Sequence, residues 1–406
     1  MKTTESLLSL KKHCLPVYAP APFVLDHGKG SRLWDRSGRE YVDLGSGIGV
    51  NILGHQHPAL LKSLMEQAQK LWHVSNWFYS EPALSLSEDL TALSFADHVF
   101  LSNSGAEANE AAIKLARKYA SISHSDPNKR EIITFKGSFH GRTLTTVTAT
   151  AQPKYQKGYE PLPGGFTYVP FNDFSAIEDA ISEKTCAVMI EPIQGEGGIH
   201  VVAPGFLTHL RTLCDQHDAL LIYDEIQSGL GRSGKLFAYQ WEADCTPDIM
   251  TLAKALAGGL PIGAMLTTQN IGSIFKPGDH GTTFGGNPVV TAVARTVLQE
   301  IQSQGFMEHV CAQRALLLQH LNDLNDEFQI FSEIRGRGLM VGAELKGAFA
   351  SKAMELVTLC QKHGVLILVA GSNVLRFLPP LNITQEELQE GFKRLRLALI
   401  DFQKRT

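Results

Sequence analysis

Paired cysteines, long apolar runs and blocks of like charge are all missing from this chain of 406 residues. Its six cysteines (Cys14, Cys186, Cys214, Cys245, Cys311 and Cys360) stand far apart with no C-x-x-C pair. That spacing speaks against a zinc ribbon and against a disulfide framework. Free thiols fit a reducing compartment, so the cytoplasm is the expected location. No apolar run approaches the roughly 18 residues that cross a bilayer, and no membrane partner is expected. Met1–Leu15 carries Lys11 and Lys12 and has no cleavage-like end, a poor match to a signal peptide. With a formal net charge of −4 and no long basic block, nucleic acid is not an expected partner either. Lys393-Arg394-Leu395-Arg396 is the densest basic cluster and reads as the solvated face of an amphipathic helix. No metal is expected: His55-Gln-His57 is suggestive, but no cysteine or acid cluster completes a ligand set.

What is present is an alternation of strand and helix patterns on a chain long enough for two or three domains. Residues 1–57 are rich in Gly and Pro and read as an arm with short strands at Ser31–Asp35 and Glu40–Asp43 around a Ser37-Gly38 turn. From 58 to 303 the pattern is α/β. Val99–Leu101 is a short apolar strand, followed by Ala106–Ala120 with apolar residues at helical spacing. Cys186–Ile190, Ala219–Tyr223 and Asp248–Leu252 are continuous apolar runs, the mark of strands buried on both faces of a parallel sheet. Residues 304–406 read as a smaller α+β domain, with strands in Gly338–Leu345 and Val365–Phe377. Thr384 and Glu387 form a capping box before a helix that places Leu388, Phe392, Leu395, Leu399 and Phe402 on one face.

Ligands of open parallel sheets lie at the carboxyl ends of the strands, and three strand ends here carry chemistry. Ser102-Asn103-Ser104-Gly105-Ala106 joins a strand to a helix, and small residues there leave the helix N–H groups open to a phosphate. An ordinary turn with a serine cap has the same appearance. Tyr223-Asp224-Glu225 follows an apolar strand, where an acid can pair with a protonated pyridine nitrogen or bridge a sheet edge. Lys254 sits among small and apolar residues, and desolvation there would favour the neutral amine that a Schiff base needs. Gly229-Leu-Gly231-Arg-Ser-Gly234 matches a dinucleotide fingerprint, but no helix pattern follows and no acid lies at the right distance.

Six motifs in order carry a resemblance. They are Asn103-Ser-Gly-Ala-Glu-Ala-Asn109, Phe139-His-Gly-Arg-Thr143, Glu191-Pro-Ile-Gln-Gly-Glu-Gly-Gly198, Asp224-Glu-Ile-Gln227, Lys254 and His280-Gly-Thr-Thr-Phe-Gly-Gly-Asn-Pro288. Together they resemble the class III pyridoxal-phosphate-dependent aminotransferases of fold type I, above all the acetylornithine and succinylornithine branch. The resemblance implies that Gly105 and Ala106 bind the cofactor phosphate, Phe139 stacks on the pyridine ring, Asp224 pairs with its nitrogen and Gln227 bonds its hydroxyl. Lys254 would carry the Schiff base and shuttle the proton. Thr283 would reach the phosphate of a neighbouring subunit, which implies a homodimer with active sites at the subunit interface.

For substrates, the resemblance gives Arg142 the α-carboxylate of the acylated ornithine and Arg376 that of glutamate or 2-oxoglutarate. Glu196 would neutralise Arg376 when the ω-amine is the donor. Thr282 would touch the substrate and Tyr18 would line the mouth, beside Ile48, which stands where the ornithine branch has tyrosine. The expected reaction is a ping-pong transfer of the δ-amino group of N-acetyl- or N-succinyl-L-ornithine to 2-oxoglutarate in arginine metabolism. Other ω-amino acid or diamine transaminases (ornithine, γ-aminobutyrate) and a racemase or mutase remain the alternatives on this fold, with a non-catalytic binding protein as the alternative of another class.

Overall fold

The computed structural model describes residues 4–405. Near the N-terminus β1 (Leu25–Lys29), β2 (Arg32–Asp35) and β3 (Glu40–Asp43) form an antiparallel meander. The next strands are β4 (His98–Ser102), β5 (Glu131–Phe135), β6 (Phe166–Val169) and β7 (Thr185–Ile190). A two-stranded hairpin, β8 (Ile193–Gln194) with β9 (His200–Val201), follows directly. Then come β10 (Leu220–Asp224), β11 (Ile249–Leu252) and β12 (Gly263–Thr267). The C-terminal part contributes β13 (Phe331–Arg337), β14 (Met340–Leu345), β15 (Val365–Leu366), β16 (Leu368–Ala370) and β17 (Val374–Phe377).

Seven of these strands make the central sheet, in the order β4-β12-β11-β10-β7-β5-β6. β6, β5, β7, β10 and β11 run parallel; β12 is antiparallel to both its neighbours, β11 and β4. Every residue of β7, β10, β11 and β12 is buried, because helices cover both faces of the sheet. The largely parallel α/β sheet expected from the apolar runs is present, with β12 as its one reversed strand.

A second sheet, β13-β14-β17-β16, is antiparallel throughout. The N-terminal meander is completed from the far end of the chain: β15 adds to β3 in parallel, pairing Val365 with Val42 and Leu366 with Asp43. The last helix, Gln385–Gln403, starts at the expected box, with the Glu387 N–H donating to Thr384 Oγ and the Thr384 N–H to Glu387 Oε2. Such a cap contributes about 1 kcal/mol. Leu388, Phe392, Leu395, Leu399 and Phe402 are all buried, as their spacing requires.

The basic cluster on this helix departs from the expected solvated face. Lys393 is exposed, but Arg394 donates to Glu40 of β3 at 2.9 Å and to Glu390 at 2.7 Å, and Arg396 pairs with Glu327. Tertiary partners, invisible in a local charge count, turned half of the cluster into a clasp. The glycine-rich segment 229–234 is a run of turns with Leu230, Gly231 and Gly234 at positive φ. Its Arg232 is fully buried and donates to the carbonyls of Leu339 and Pro379, tying the central sheet to the C-terminal part.

Leu395→Ala should lower stability by about 2–5 kcal/mol, whereas Lys393→Ala, at an exposed position, should change it by less than about 0.5 kcal/mol. Thermal melting of the two variants side by side checks the pair; equal melting points would contradict the assigned helix face.

Candidate active site

A cavity of about 450 Å³ opens where the parallel strands end. β4 delivers Asn103 to its wall, β7 Glu191, β10 Asp224, and β11 the Ala253-Lys254 step. The reversed β12 closes the rim from its starting end with Pro261 and Ile262.

One wall is the first turn of the helix Gly105–Ser123. Ser104 caps it, accepting from the Glu107 N–H at 3.2 Å, which leaves the Gly105 and Ala106 N–H groups without an intrahelical acceptor. Glycine at 105 lets Ile226 pack close, since a Cβ there would lie 2.7 Å from Ile226 Cδ1 and push that side chain aside.

At the opposite end the buried Asp224 carboxylate is held from three sides. Oδ2 accepts from the Asn109 side-chain amide and from His140 Nδ1, both at 2.8 Å, and Oδ1 accepts from the Ile226 N–H. Thr251 of β11 donates to Asn109 Oδ1 at 2.7 Å, which fixes which way that amide points. Burial works against a charged His140, yet its hydrogen bond to Asp224, with Glu191 nearby, lifts its pKa above the ordinary value. Its Nε2 is buried without a partner. Glu225, the second acid of the pair, turns away and accepts from the Ala238 and Tyr239 N–H groups at 2.8 Å.

Lys254 lies between these ends, half-buried, at the start of a single 3₁₀ turn and at a φ of 31°. A non-glycine residue there is strained, and such strain persists only where the surroundings hold it. Burial lowers the pKa of its amine; Glu196 opposes the shift and Arg376 adds to it.

Of the residues singled out from sequence, Gly105, Ala106, Phe139, Asp224, Gln227 and Lys254 line this one cavity. Arg142 and Glu196 line it too. Arg142 is exposed, with its guanidinium 4.1 Å from the Tyr155 ring centroid and 5.5 Å from that of Phe139. Arg376 is buried just behind, paired with Glu196 and 3.4 Å from Gln227 Oε1. Burial alone would raise the Glu196 pKa, but the charge and hydrogen bond of Arg376 hold it below the usual carboxylate range.

Other singled-out residues fall elsewhere. Thr282 reaches the site only through Asn103, whose amide donates to its hydroxyl at 2.9 Å. Thr283 and Tyr18 are exposed on the surface, outside the chain's own cavity. Ile48 is exposed in a turn at a φ of 66°, and Val50 lines the wall instead.

Asn109, His140 and Glu191 were quoted within motifs but given no role by the sequence reading. Glu191 accepts from the Phe139 N–H at 3.0 Å and the Gly195 N–H at 3.3 Å, anchoring two walls at once. Burial, with the Asp224 charge adding and His140 opposing, pushes its pKa up to about 7. An acid directly after a fully apolar strand was the available signal.

Residues 16–399 match the family model described as aminotransferase class III. The chain belongs to the class III aminotransferases. It is 58% identical to the acetylornithine aminotransferase of Xanthomonas campestris, over 97% of both chains. It is 52% identical to the succinylornithine transaminase of Photorhabdus laumondii, over 96% of both. The N-acetylornithine aminotransferase structure from Stenotrophomonas maltophilia superposes with a TM-score of 0.86 at 47% identity, covering 98% of this chain and 100% of that one. Class III aminotransferases use pyridoxal phosphate, and the donor set suits it: open N–H groups for a phosphate, a fixed carboxylate for a ring nitrogen, an amine for an aldehyde.

Burial also pushes the Glu225 pKa up to about 7, as it does for Glu191. Between about pH 4.5 and 7 the folded aminotransferase therefore keeps protons on these carboxyls that the unfolded chain has released. Each contributes stability at low pH that is lost as pH rises through this window. Glu225→Gln should remove its share, so that the melting temperature of the variant relative to wild type climbs from pH 5 to pH 8. A constant offset across that range would contradict the assignment.

Proposed function

We propose that this aminotransferase moves the δ-amino group of N-acetyl-L-ornithine or N-succinyl-L-ornithine to 2-oxoglutarate by a ping-pong route. The products are the N-acylglutamate 5-semialdehyde and glutamate. The observation that carries this reading is the contrast between two arginines at one cavity: Arg142 is exposed and stands over rings, while Arg376 is buried and already paired with Glu196. An acylornithine brings its α-carboxylate (N-succinylornithine adds a second on its acyl arm, away from the reacting amine), and the free Arg142 holds the α-carboxylate as a fork. Glutamate brings two, and the second recruits Arg376 in place of Glu196. The relatives' names point to the same donors.

Pyridoxal phosphate, when bound, supplies an electron sink for the carbon–hydrogen bond that is broken. Gly105 and Ala106 would hold its phosphate, Phe139 would cover its ring, Asp224 would keep the ring nitrogen protonated and Gln227 would orient the hydroxyl. Lys254 would hold the cofactor covalently and, once released, its neutral amine, which burial favours, would accept the proton lost from the substrate carbon and give it up again as the ammonium. Thr282, through Asn103, shapes the substrate edge, and Tyr18 belongs to the mouth of a complete site.

That site is completed by a second copy of the chain. Trp72, Trp77, Phe78 and Tyr79 are all exposed, a cluster of aromatics of the kind that marks a contact surface. The same segment touches the loop that carries Thr283: Asn76 donates to the Thr282 carbonyl, and the His73 and Phe284 rings lie 5.3 Å apart. A homodimer buries this face and brings Thr283 to the partner's phosphate. We place the enzyme in the cytoplasm; among the described residues no helix is long and apolar enough to cross a membrane. As domain limits we propose 1–57, 58–303 and 304–406.

Steady-state rates with N-acetylornithine and 2-oxoglutarate should give parallel double-reciprocal lines; intersecting lines, or no turnover of either acylornithine, would overturn the reading. Arg142→Ala should raise the donor KM roughly 10- to 100-fold through the lost charge-assisted bonds. Lys254→Ala should abolish turnover, and borohydride should no longer fix the cofactor to the chain.

A further inference from the structure

The turn that carries Glu196 belongs to the β8–β9 hairpin, which follows the central sheet in sequence but packs on the small antiparallel sheet. Ile193 and Ile199 of the hairpin segment form one apolar cluster with Met340, Ala370, Val374 and Leu378. Gly342 of β14 makes room for this, since a Cβ there would sit 3.0 Å from Ile199 Cβ. The turn itself is strained, with Gly198 at a φ of 134° and the β-branched Ile199 at 57°. Two bonds from the small-sheet side grip it: Arg335 Nε donates to the Gly198 carbonyl at 2.9 Å, and the Gly371 N–H donates to the Glu196 carbonyl at 2.8 Å. From the central-sheet side Glu191 accepts from the Gly195 N–H. Arg335 has little freedom to let go. Its Nη1 is bonded to both Glu333 and Glu344, and only 10% of its side chain is exposed.

We infer that Arg335 is a positioning residue that sets the preference between amine donor and diacid: it holds the Glu196 turn where Glu196 neutralises Arg376. The inference rests on the reading above, in which a diacid must take Arg376 away from Glu196. Displacing Glu196 means moving a turn that Arg335 braces from outside the cavity. Loosening the brace makes Arg376 cheaper to capture for a diacid and less completely neutralised for a donor with a single carboxylate.

The test uses the pyridoxal-phosphate-loaded enzyme and glutarate, a five-carbon diacid with neither amine nor keto group. Its dissociation constant is measured by calorimetry, alongside kcat/KM for N-acetylornithine, in Arg335→Met and Arg335→Lys. Both variants lack the guanidinium Nε; the lysine variant keeps the charge beside Glu333 and Glu344 and carries the test should the methionine variant fail to fold. Glutarate should bind three- to tenfold more tightly and kcat/KM for the donor should fall three- to tenfold, the scale of one lost hydrogen bond. Glu344→Gln, which weakens one of the two ion pairs that hold Arg335, should move both constants in the same directions by a smaller factor. Unchanged constants in the Arg335 variants, a loss of affinity for both ligands, or a shift of opposite sign in Glu344→Gln would overturn the inference. A wild-type enzyme that binds no glutarate or ignores N-acetylornithine would instead sink the functional reading beneath it.

Discussion

The buried carboxylate of Asp224 is the constraint on which the site depends. A charge that far from water is tolerated only when hydrogen bonds replace its hydration, and its three donors come from three different stretches of chain. Asn109 brings the helix whose first turn is Gly105 and Ala106. His140 brings the loop with Phe139 and Arg142. Thr251, by fixing the Asn109 amide, couples in β11, whose next residues are Ala253 and Lys254. One acid thus sets the mutual position of the anion-binding helix, the aromatic wall and the amine. Substituting any one partner leaves a buried donor or acceptor unpaired in the others, so the network moves as a unit.

Much of this was legible in the sequence, for local reasons. The apolar run ending in Asp224, the serine-capped turn at Gly105 and the capping box at Thr384 are each decided by neighbours within a few residues. The reversed strand β12 was not foreseen, nor were β5 and β6. Gly263–Thr267 is as apolar as its parallel neighbours, and direction is decided by pairing with distant β4 and β11. Asn109 had no visible role for the same reason. Its partners lie at positions 140, 224 and 251, which only the fold brings together.

Thr283 and Tyr18 illustrate a different limit. Both are exposed on the chain that carries them, so neither pattern nor a single copy of the fold brings them to a cavity. The exposed aromatics at 72–79 supply the physical reason to look beyond one chain, and their contact with the 282–284 loop says which part of the site is involved. Ile48 belongs with Thr283 and Tyr18. It sits in a left-handed turn and is exposed, and in the single chain it is Val50, two residues on, that lines the cavity.

The two arginines differ in a way that simple charge counting conceals. Arg142 is held by ring faces that leave its fork solvated, so a carboxylate can bind with little prior rearrangement. Arg376 has already lost its water, and Glu196 offsets that loss only while the pair stays together. Pulling Glu196 away without a replacement carboxylate would leave a buried guanidinium uncompensated, a penalty of several kcal/mol. A ligand that places no carboxylate at the pair therefore gains nothing by opening it, whereas one that brings a carboxylate there restores the neutralisation it disrupts. Selection between the two substrates of a single cavity then follows from burial rather than from shape, and it works only as long as Glu196 is held at the right distance from its partner.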